Sequence, residues 1–366
     1  MPATSPATTL LVVSHPCVRP VNQEVYADLL ARGVELQLVV PSHWRDPYEP
    51  GGFAPQPIAG LEGRLHPLPV LGEGRQQRHL YRARVGRHLR KLRPGVVFIE
   101  QEPFSLAGLQ WALACRRAGV PYGVQLAENL ERTMPLPVRW WRGYVLRHAA
   151  FVAARSERAA QLARSWGARG EVGFVAHAVP SWPEVPHEDQ DVFTVGLCGR
   201  LVEEKGITDL IAARDAMGAP CRLRFIGDGP LREVAERAPD SVVVSGTDHL
   251  AMAAQYAKLD AVAVPSKATA TWAEQFGRVL VEAMACGVPI VAYASGEIPW
   301  VMAGSGAGEV VPEGDVAALS AALSRLEADP QLRRAQGEAG RRRVAERYTV
   351  AASASALWSL AGPLAR

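Results

Sequence analysis

The chain lacks most of the features that mark specialised protein classes. Its five cysteines, Cys17, Cys115, Cys198, Cys221 and Cys286, are odd in number, with no C-x-x-C spacing and no accompanying histidine cluster. That pattern argues against both a disulfide framework and a zinc site. No apolar run reaches the roughly 18 residues a membrane-spanning helix needs, and the run at residues 10–13 is too short for the core of a secretion signal. A cytoplasmic chain is therefore expected. There is no short-period repeat, no low-complexity tract and no D-x-D motif at the end of a predicted strand, so no metal site is expected.

What is present fits a folded enzyme. The 366 residues, 48% hydrophobic and 21% charged, correspond to two domains at about 150 residues each. The net charge of +3 conceals an asymmetry: residues 1–180 carry 22 Lys/Arg against 13 Asp/Glu (+9), and residues 181–366 carry 18 against 24 (−6). A split of this kind suggests that one half meets something anionic.

Short apolar runs alternate with helical stretches from the start. Residues 10–14, 35–41, 96–100, 122–126, 151–154 and 172–176 read as strands, several apolar on both faces as buried parallel strands must be. Helical patterns fall between them, at 22–32, 105–118 and 155–166. A second series, 194–199, 222–227, 241–246, 261–266, 289–294 and 308–311, follows a proline-containing acidic segment. The expectation is α/β with two Rossmann-like, doubly wound domains facing a cleft: a first domain at 1–180, a linker at 181–190 and a second domain at 191–349. A terminal helix at 350–366, with Leu357, Trp358 and Leu360, either finishes the second domain or docks on the first.

The most informative stretch runs from Glu274 to Pro289, EQFGRVLVEAMACGVP. It reads as a turn at Glu274 and Gly277, then a helix stopped by Gly287 and Pro289. Unpaired N–H groups at the first turn can hold a diphosphate. Glu274 then lies where it can accept from sugar hydroxyls, and Glu282, two turns on, can grip a diol. Arg200 and Lys205 follow another strand end, where two cations can offset charge building on a departing diphosphate. Gly227 and Gly229 permit close approach of a nucleobase or ribose, although a lone G-x-G is most often only a turn. Thr247, Asp248 and His249 follow the next strand and border the same region.

These motifs resemble the family 4 glycosyltransferases. Glu274 and Glu282 match the E-x7-E signature, Gly199 to Gly206 (GRLVEEKG) resembles the G-R-x-x-x-E-K-G segment, and Phe225 to Pro230 (FIGDGP) resembles the strand with its G-x-G-P loop. In the first half, IEQEPFS from Ile99 and LAEN from Leu126 are similar to members of surface-polysaccharide assembly. The resemblance implies the GT-B fold and a retaining, metal-independent sugar transfer that needs no cofactor. The donor is a UDP- or GDP-linked sugar and the acceptor a saccharide or a lipid-linked molecule. It assigns Arg200, Lys205 and Glu274 to catalysis. Gly199, Gly227, Gly229, Thr247, Gln275, Phe276, Gly277, Arg278, Val279 and Glu282 are assigned to the donor, and Asn22, Gln101, Glu102, Glu128 and Asn129 to the acceptor side. Two competing readings stay open: a nucleotide-sugar 2-epimerase on the same fold, and a sugar-nucleotide-binding protein without catalysis.

The first half departs from the family in two places. Where relatives carry a glycine-rich turn after the first strand, this chain has HPCVRPVN from His15 to Asn22. Where many have His, it has Gln101, which can hydrogen-bond a hydroxyl but cannot act as acid or base. From Arg75 to Arg93 lie eight Arg/Lys in nineteen residues, with Tyr81, Val85, Leu89 and Leu92 at helical spacing. This stretch reads either as a solvated cationic face or as an interfacial helix held on anionic lipid at about 1 kcal/mol per cation. The second reading makes the chain peripheral at the inner membrane face. Arg132 to Tyr144 mixes cations with aromatics in the same half, and no nucleic-acid recognition module is visible.

Overall fold

Strands that are apolar on both faces need helices covering each side, and both halves of the chain are built on them. The computed structural model describes residues 9–46, 49–247 and 249–365. They divide into unit 1, which runs to Ala178 and resumes at Val350, and unit 2, Val179–Thr349.

The sheet of unit 1 contains β1 (Thr9–Ser14), β2 (Glu35–Pro41), β3 (Leu65–Leu68), β4 (Val96–Glu100), β5 (Tyr122–Leu126), β6 (Phe151–Ala154) and β7 (Glu171–Phe174). All are parallel, in the order β7-β6-β5-β4-β1-β2-β3. Leu10, Leu11, Val12 and Val13 of β1 and Val96, Val97 and Ile99 of β4 are fully buried, each contributing about 1.5–3 kcal/mol of apolar burial. The helix Leu106–Ala118 begins where Ser105 accepts from the Gly108 N–H and ends at left-handed Gly119, as its sequence suggests. β3 has no counterpart in the sequence reading. Pro67 lacks an N–H and His66 is polar, a combination tolerated only at a sheet edge, and β3 is that edge.

The helix Val350–Ala361 belongs to unit 1. Ala354 and Leu357 enter its core, Ser353 donates to the Ala176 carbonyl (3.1 Å) and Arg32 donates to Ser355 Oγ (2.6 Å).

Unit 2 repeats the pattern with β8 (Phe193–Cys198), β9 (Cys221–Ile226), β10 (Ser241–Val244), β11 (Ala261–Val264), β12 (Ile290–Tyr293) and β13 (Gly308–Val311), ordered β10-β9-β8-β11-β12-β13. In each sheet the strand order reverses beside the first strand, at β1/β4 and at β8/β11. Ligands of such sheets bind at the carboxyl ends of the strands at that point.

Two expectations change. Residues 181–190 carry no helix or strand but lie on unit 2 rather than forming a free linker. Trp182 packs beside His249 and Tyr256, and the Glu188 N–H donates to the Ala257 carbonyl (2.8 Å). In the basic stretch only Val85–Leu92 is helical. Tyr81, Val85 and Leu89 are buried in the core of unit 1, so that apolar face is already covered by protein. Its eight cations stay exposed, which makes this a solvated charged face. Among the described residues no helix is long and apolar enough to cross a membrane.

Candidate active site

In unit 2 the loops after β8, β9 and β11 converge with one helix start. After β8, Gly199 (φ +126°) leads to Arg200, whose guanidinium is exposed and makes no hydrogen bond or ion pair with the described residues. After β9, Gly227 (φ +151°) lies so close that a Cβ would collide with the Gly199 carbonyl oxygen. A Cβ at Gly229 would meet the Leu201 carbonyl. The glycines at 227 and 229 are thus required by loop-on-loop contact within the protein, before any ligand is considered.

Lys205 closes the short 3-10 turn Glu203–Lys205. Its Nζ lies 2.6 Å from Glu274 Oε2 and 5.0 Å above the Trp272 ring, and Ser266 Oγ donates to the same carboxylate oxygen at 3.4 Å. The Lys205 and Glu274 side chains are only 17% and 14% exposed, so the pair is held in a partly dry site where charge interactions strengthen. The Glu274 backbone is fixed too: its carbonyl accepts from the Glu297 N–H (2.9 Å). The loop bearing it is tied down by Lys267 Nζ on Asp209 Oδ1 (2.7 Å), and Tyr293 OH donates to Asp209 Oδ2 (3.2 Å). Asp209, Lys267 and Tyr293 were not singled out by sequence reasoning, since their pairing spans 58 and 84 residues.

The helix Arg278–Cys286 starts at left-handed Gly277 and ends at left-handed Gly287. Gly277 at its N-cap has no side chain to bond the first-turn N–H groups, which suits this start to an anion. Gln275 and Val279 are half-buried beside it, whereas Phe276 is buried with its ring against Tyr348. The Phe276 side chain is therefore packing. Glu282 is buried and accepts from Tyr256 OH (3.0 Å), with Arg278 Nε at 3.6 Å and His249 Nε2 at 3.9 Å from its other oxygen. Burial pushes its carboxyl above the usual range, opposed by Arg278 and the Tyr256 hydrogen bond. Thr247 is half-buried at the loop after β10; Asp248 lies outside the described residues.

Unit 1 shows what stands in place of a glycine-rich turn. Two prolyl 3-10 turns, Pro16–Val18 and Pro20–Gln23, follow β1. They are held by Ser14 Oγ accepting from the Cys17 N–H (3.1 Å) and by Asn22 Nδ2 donating to the Pro16 carbonyl (2.8 Å). Asn22 is thereby a turn-closing residue. Glu128 is likewise engaged, by Arg132 Nε (2.6 Å) and the N–H groups of Asn129 and Leu130; Asn129 is buried.

Gln101 is buried, and its Oε1 accepts from His15 Nδ1 (3.0 Å) at the ends of β4 and β1, the point where the strand order reverses. His15 also meets the rings of Trp44 (5.0 Å) and His79 (5.5 Å). Burial, then the neighbouring His79, pulls its pKa down to about 3, so the imidazole is neutral near pH 7. Gln101 Nε2 and His79 Nε2 are buried with no hydrogen-bond partner among the described residues, leaving polar atoms for hydroxyl groups. Sequence reasoning missed His15 and His79, because the partners are far apart in the chain.

Glu102 Oε1 accepts from the Ala127 N–H (2.9 Å), while Oε2 is buried without a partner among the described residues. Burial raises its pKa from 4.5 to about 8. The folded chain therefore holds a proton that the unfolded chain releases across that window, and stability falls as pH rises from about 4.5 to about 8. Glu102→Gln keeps the Ala127 bond and removes the charge. It is expected to stabilise by on the order of 1–3 kcal/mol at about pH 9 and by little at about pH 5. Thermal unfolding across pH checks this, and parallel curves for variant and parent would refute it.

The chain is similar to known proteins over most of its length. Residues 18–182 match the "Glycosyl transferase 4-like domain" model and residues 179–343 the "Glycosyl transferases group 1" model. A 2-deoxystreptamine N-acetyl-D-glucosaminyltransferase of Streptomyces fradiae is 34% identical over 38% of this chain, and the match spans 35% of that relative's length. A GDP-mannose-dependent alpha-(1-6)-phosphatidylinositol monomannoside mannosyltransferase of Mycolicibacterium smegmatis is 34% identical over 39% of this chain, spanning 40% of its own length. The chain thus matches well under half the length of either relative. In fold it is similar to a sucrose-phosphate synthase from Thermosynechococcus elongatus, with a TM-score of 0.74 at 19% identity over 96% of this chain and 98% of that one. The two parallel sheets, the helix that starts at Gly277 and the two domain models together covering residues 18–343 place the chain in the group 1 (family 4) glycosyltransferases of GT-B fold.

Proposed function

We propose that the chain transfers a sugar from a UDP- or GDP-linked donor to a hydroxyl of a saccharide or lipid-linked acceptor, with retention of anomeric configuration. The observation that carries this reading is the Lys205–Glu274 pair at 2.6 Å beside a helix start with glycine at its N-cap. The bond from the anomeric carbon to the diphosphate oxygen breaks, and a bond from the acceptor oxygen forms on the same face. The acceptor proton passes to the departing diphosphate. Lys205 and exposed Arg200 offset the charge on that leaving group, and the first-turn N–H groups of the helix Arg278–Cys286 hold the phosphates. Glu274 accepts from sugar hydroxyls, and Glu282 from the ribose.

The two relatives differ in the acceptor their names give, 2-deoxystreptamine in one and phosphatidylinositol monomannoside in the other; both acceptor classes are kept. A lipid-linked acceptor would place unit 1 at the inner face of a membrane, with the exposed cations of the 75–93 stretch supplying attraction.

Thermal shift with UDP, GDP and ADP, then their sugars, tests the donor. A nucleotide at a hundred times its Kd should stabilise unit 2 by about 2.7 kcal/mol. No shift with any of them would overturn the reading. Incubation with the stabilising nucleotide sugar alone separates the isomerase, which would accumulate an epimer without acceptor. A binding protein would shift with nucleotide but turn over neither way.

A further inference from the structure

Lys205 has two partners among the described residues, and only one of them carries a charge. Besides the Glu274 carboxylate, the Trp272 ring faces its ammonium, with Nζ 5.0 Å from the ring centroid. That is inside the roughly 6 Å over which an aromatic face attracts a cation. The ring is held there by its own loop. The Thr269 N–H donates to the Trp272 carbonyl (2.7 Å), and Thr269 Oγ1 accepts from the Trp272 N–H (3.0 Å). The loop is in turn fastened to the turn that bears the lysine. The Lys267 N–H donates to the Glu204 carbonyl (2.8 Å), and a Cβ at left-handed Gly206 (φ +70°) would collide with the Pro265 carbonyl oxygen. On its other side the Ala268 N–H donates to Glu313 Oε1 (2.9 Å). Ring and ammonium thus sit on two loops that are fixed to one another. Trp272 is only half-buried and residues 268–271 beside it are exposed, so deep packing does not account for an indole at this position.

We infer that Trp272 is a positioning residue, which holds the Lys205 ammonium toward the leaving diphosphate without cancelling its charge. The inference deepens the proposed function and rests on it. A carboxylate fixes a cation but neutralises it, and in that function Glu274 also serves the sugar hydroxyls. An aromatic face binds the ammonium through its quadrupole and carries no net charge. When Glu274 turns part of its accepting capacity to the sugar, the ring keeps Lys205 in place with its whole charge available. A lysine stem is flexible and its ammonium strongly hydrated. A ring on one side removes water and competing rotamers together, so the cation meets the growing negative charge without reorganising. Stacking on the donor sugar is a different role for the same ring, since it would act on the sugar and not through Lys205.

The chain has four lysines, Lys91, Lys205, Lys258 and Lys267, so the NMR spectrum of lysine-labelled protein is simple to read, with Lys205 assigned by Lys205→Arg. The ε-methylene protons of Lys205 should lie upfield of the other three through the ring current of Trp272, and should rejoin them in Trp272→Leu. Calorimetry on the full chain then measures the affinities of UDP, GDP and ADP and of their sugars. For the diphosphate that the parent binds, Trp272→Leu should weaken binding about tenfold, equivalent to about 1.4 kcal/mol, and Trp272→Phe, which keeps an aromatic face, only about threefold. In the Lys205→Ala background Trp272→Leu should cost nothing further, because the ring acts through the ammonium. Thermal unfolding certifies the fold of each variant, and Trp272→Phe carries the same comparison should Trp272→Leu not fold. A Lys205 signal that Trp272→Leu leaves in place, an unchanged diphosphate affinity, or an equal further loss in the Lys205→Ala background would each overturn the positioning role alone. A loss confined to the nucleotide sugar would do so too, and would mark a sugar platform. A parent that binds none of the nucleotides overturns the donor reading and the role built on it.

Discussion

Lys205→Ala should lower kcat for sugar transfer by about a thousandfold, equivalent to about 4 kcal/mol of lost transition-state stabilisation, while the chain stays folded. The reason lies in when each interaction forms. Lys205 Nζ rests 2.6 Å from Glu274 Oε2, so its charge is already matched. As the glycosidic bond to the diphosphate breaks, negative charge grows on the leaving group, and a cation held in a partly dry site meets it without reorganisation. Glu274→Gln should lose a comparable factor, because an amide accepts more weakly from the sugar and no longer orients the ammonium. The double variant Lys205→Met/Glu274→Gln separates the roles. It leaves no unpaired charge, so its stability should return toward the parent while its activity stays lost. Steady-state kinetics with circular dichroism and thermal unfolding decide the matter, and Lys205→Ala turning over within tenfold of the parent would sink the proposed site.

The elements that build the candidate site were legible because their determinants are local. The spacing of Glu274 and Glu282, punctuated by Gly277 and Gly287, records a turn, a helix start and a helix end within one short stretch, and the structure places them so. The strands β1 and β4 declared themselves by being apolar on both faces. What stayed hidden depended on partners distant in sequence. Phe276 sits inside the signature, and only contact with Tyr348 shows that its ring packs in the core. Asn22 and Glu128 are polar and well placed, and each also closes a turn. His15 and Gln101 meet across 86 residues, a pairing no local pattern announces. The most instructive case is a comparison of two helical stretches in the first half. Tyr81, Val85 and Leu89 have the ideal helical spacing for an interfacial stripe and turn out to be core, whereas Leu136 and Trp140 in a less regular pattern are the residues left outside. Periodicity reports that a helix has an apolar face; tertiary packing decides what covers it.

The largest expected loss of stability comes from a buried ion pair that the sequence did not advertise. Arg155, just past β6, donates through one amino group to Glu100 Oε1 (2.8 Å) and Gln125 Oε1 (2.6 Å), and through the other to the carbonyls of Val175 (3.1 Å) and Ala176 (3.0 Å). Glu100 Oε2 accepts from Tyr26 OH (2.7 Å). One guanidinium thus joins the ends of β4, β5 and β6 to the chain following β7, and Ser353 of the terminal helix closes on the same Ala176 carbonyl. Burial and the Glu100 charge raise the Tyr26 hydroxyl pKa, so Tyr26 remains a donor and cannot replace the missing cation. Arg155→Met strands the Glu100 carboxylate and should cost about 3–5 kcal/mol. The double variant Glu100→Leu/Arg155→Met removes both charges and should recover most of that loss, since a well-packed apolar pair often equals a buried ion pair. Urea unfolding followed by probes in each unit is the measurement, because a chain of two units need not unfold in one step. The unit 1 transition should shift while the nucleotide-dependent stabilisation of unit 2 persists. Arg155→Met unfolding within about 1 kcal/mol of the parent would mean that water reaches Glu100 and that the network is ornamental.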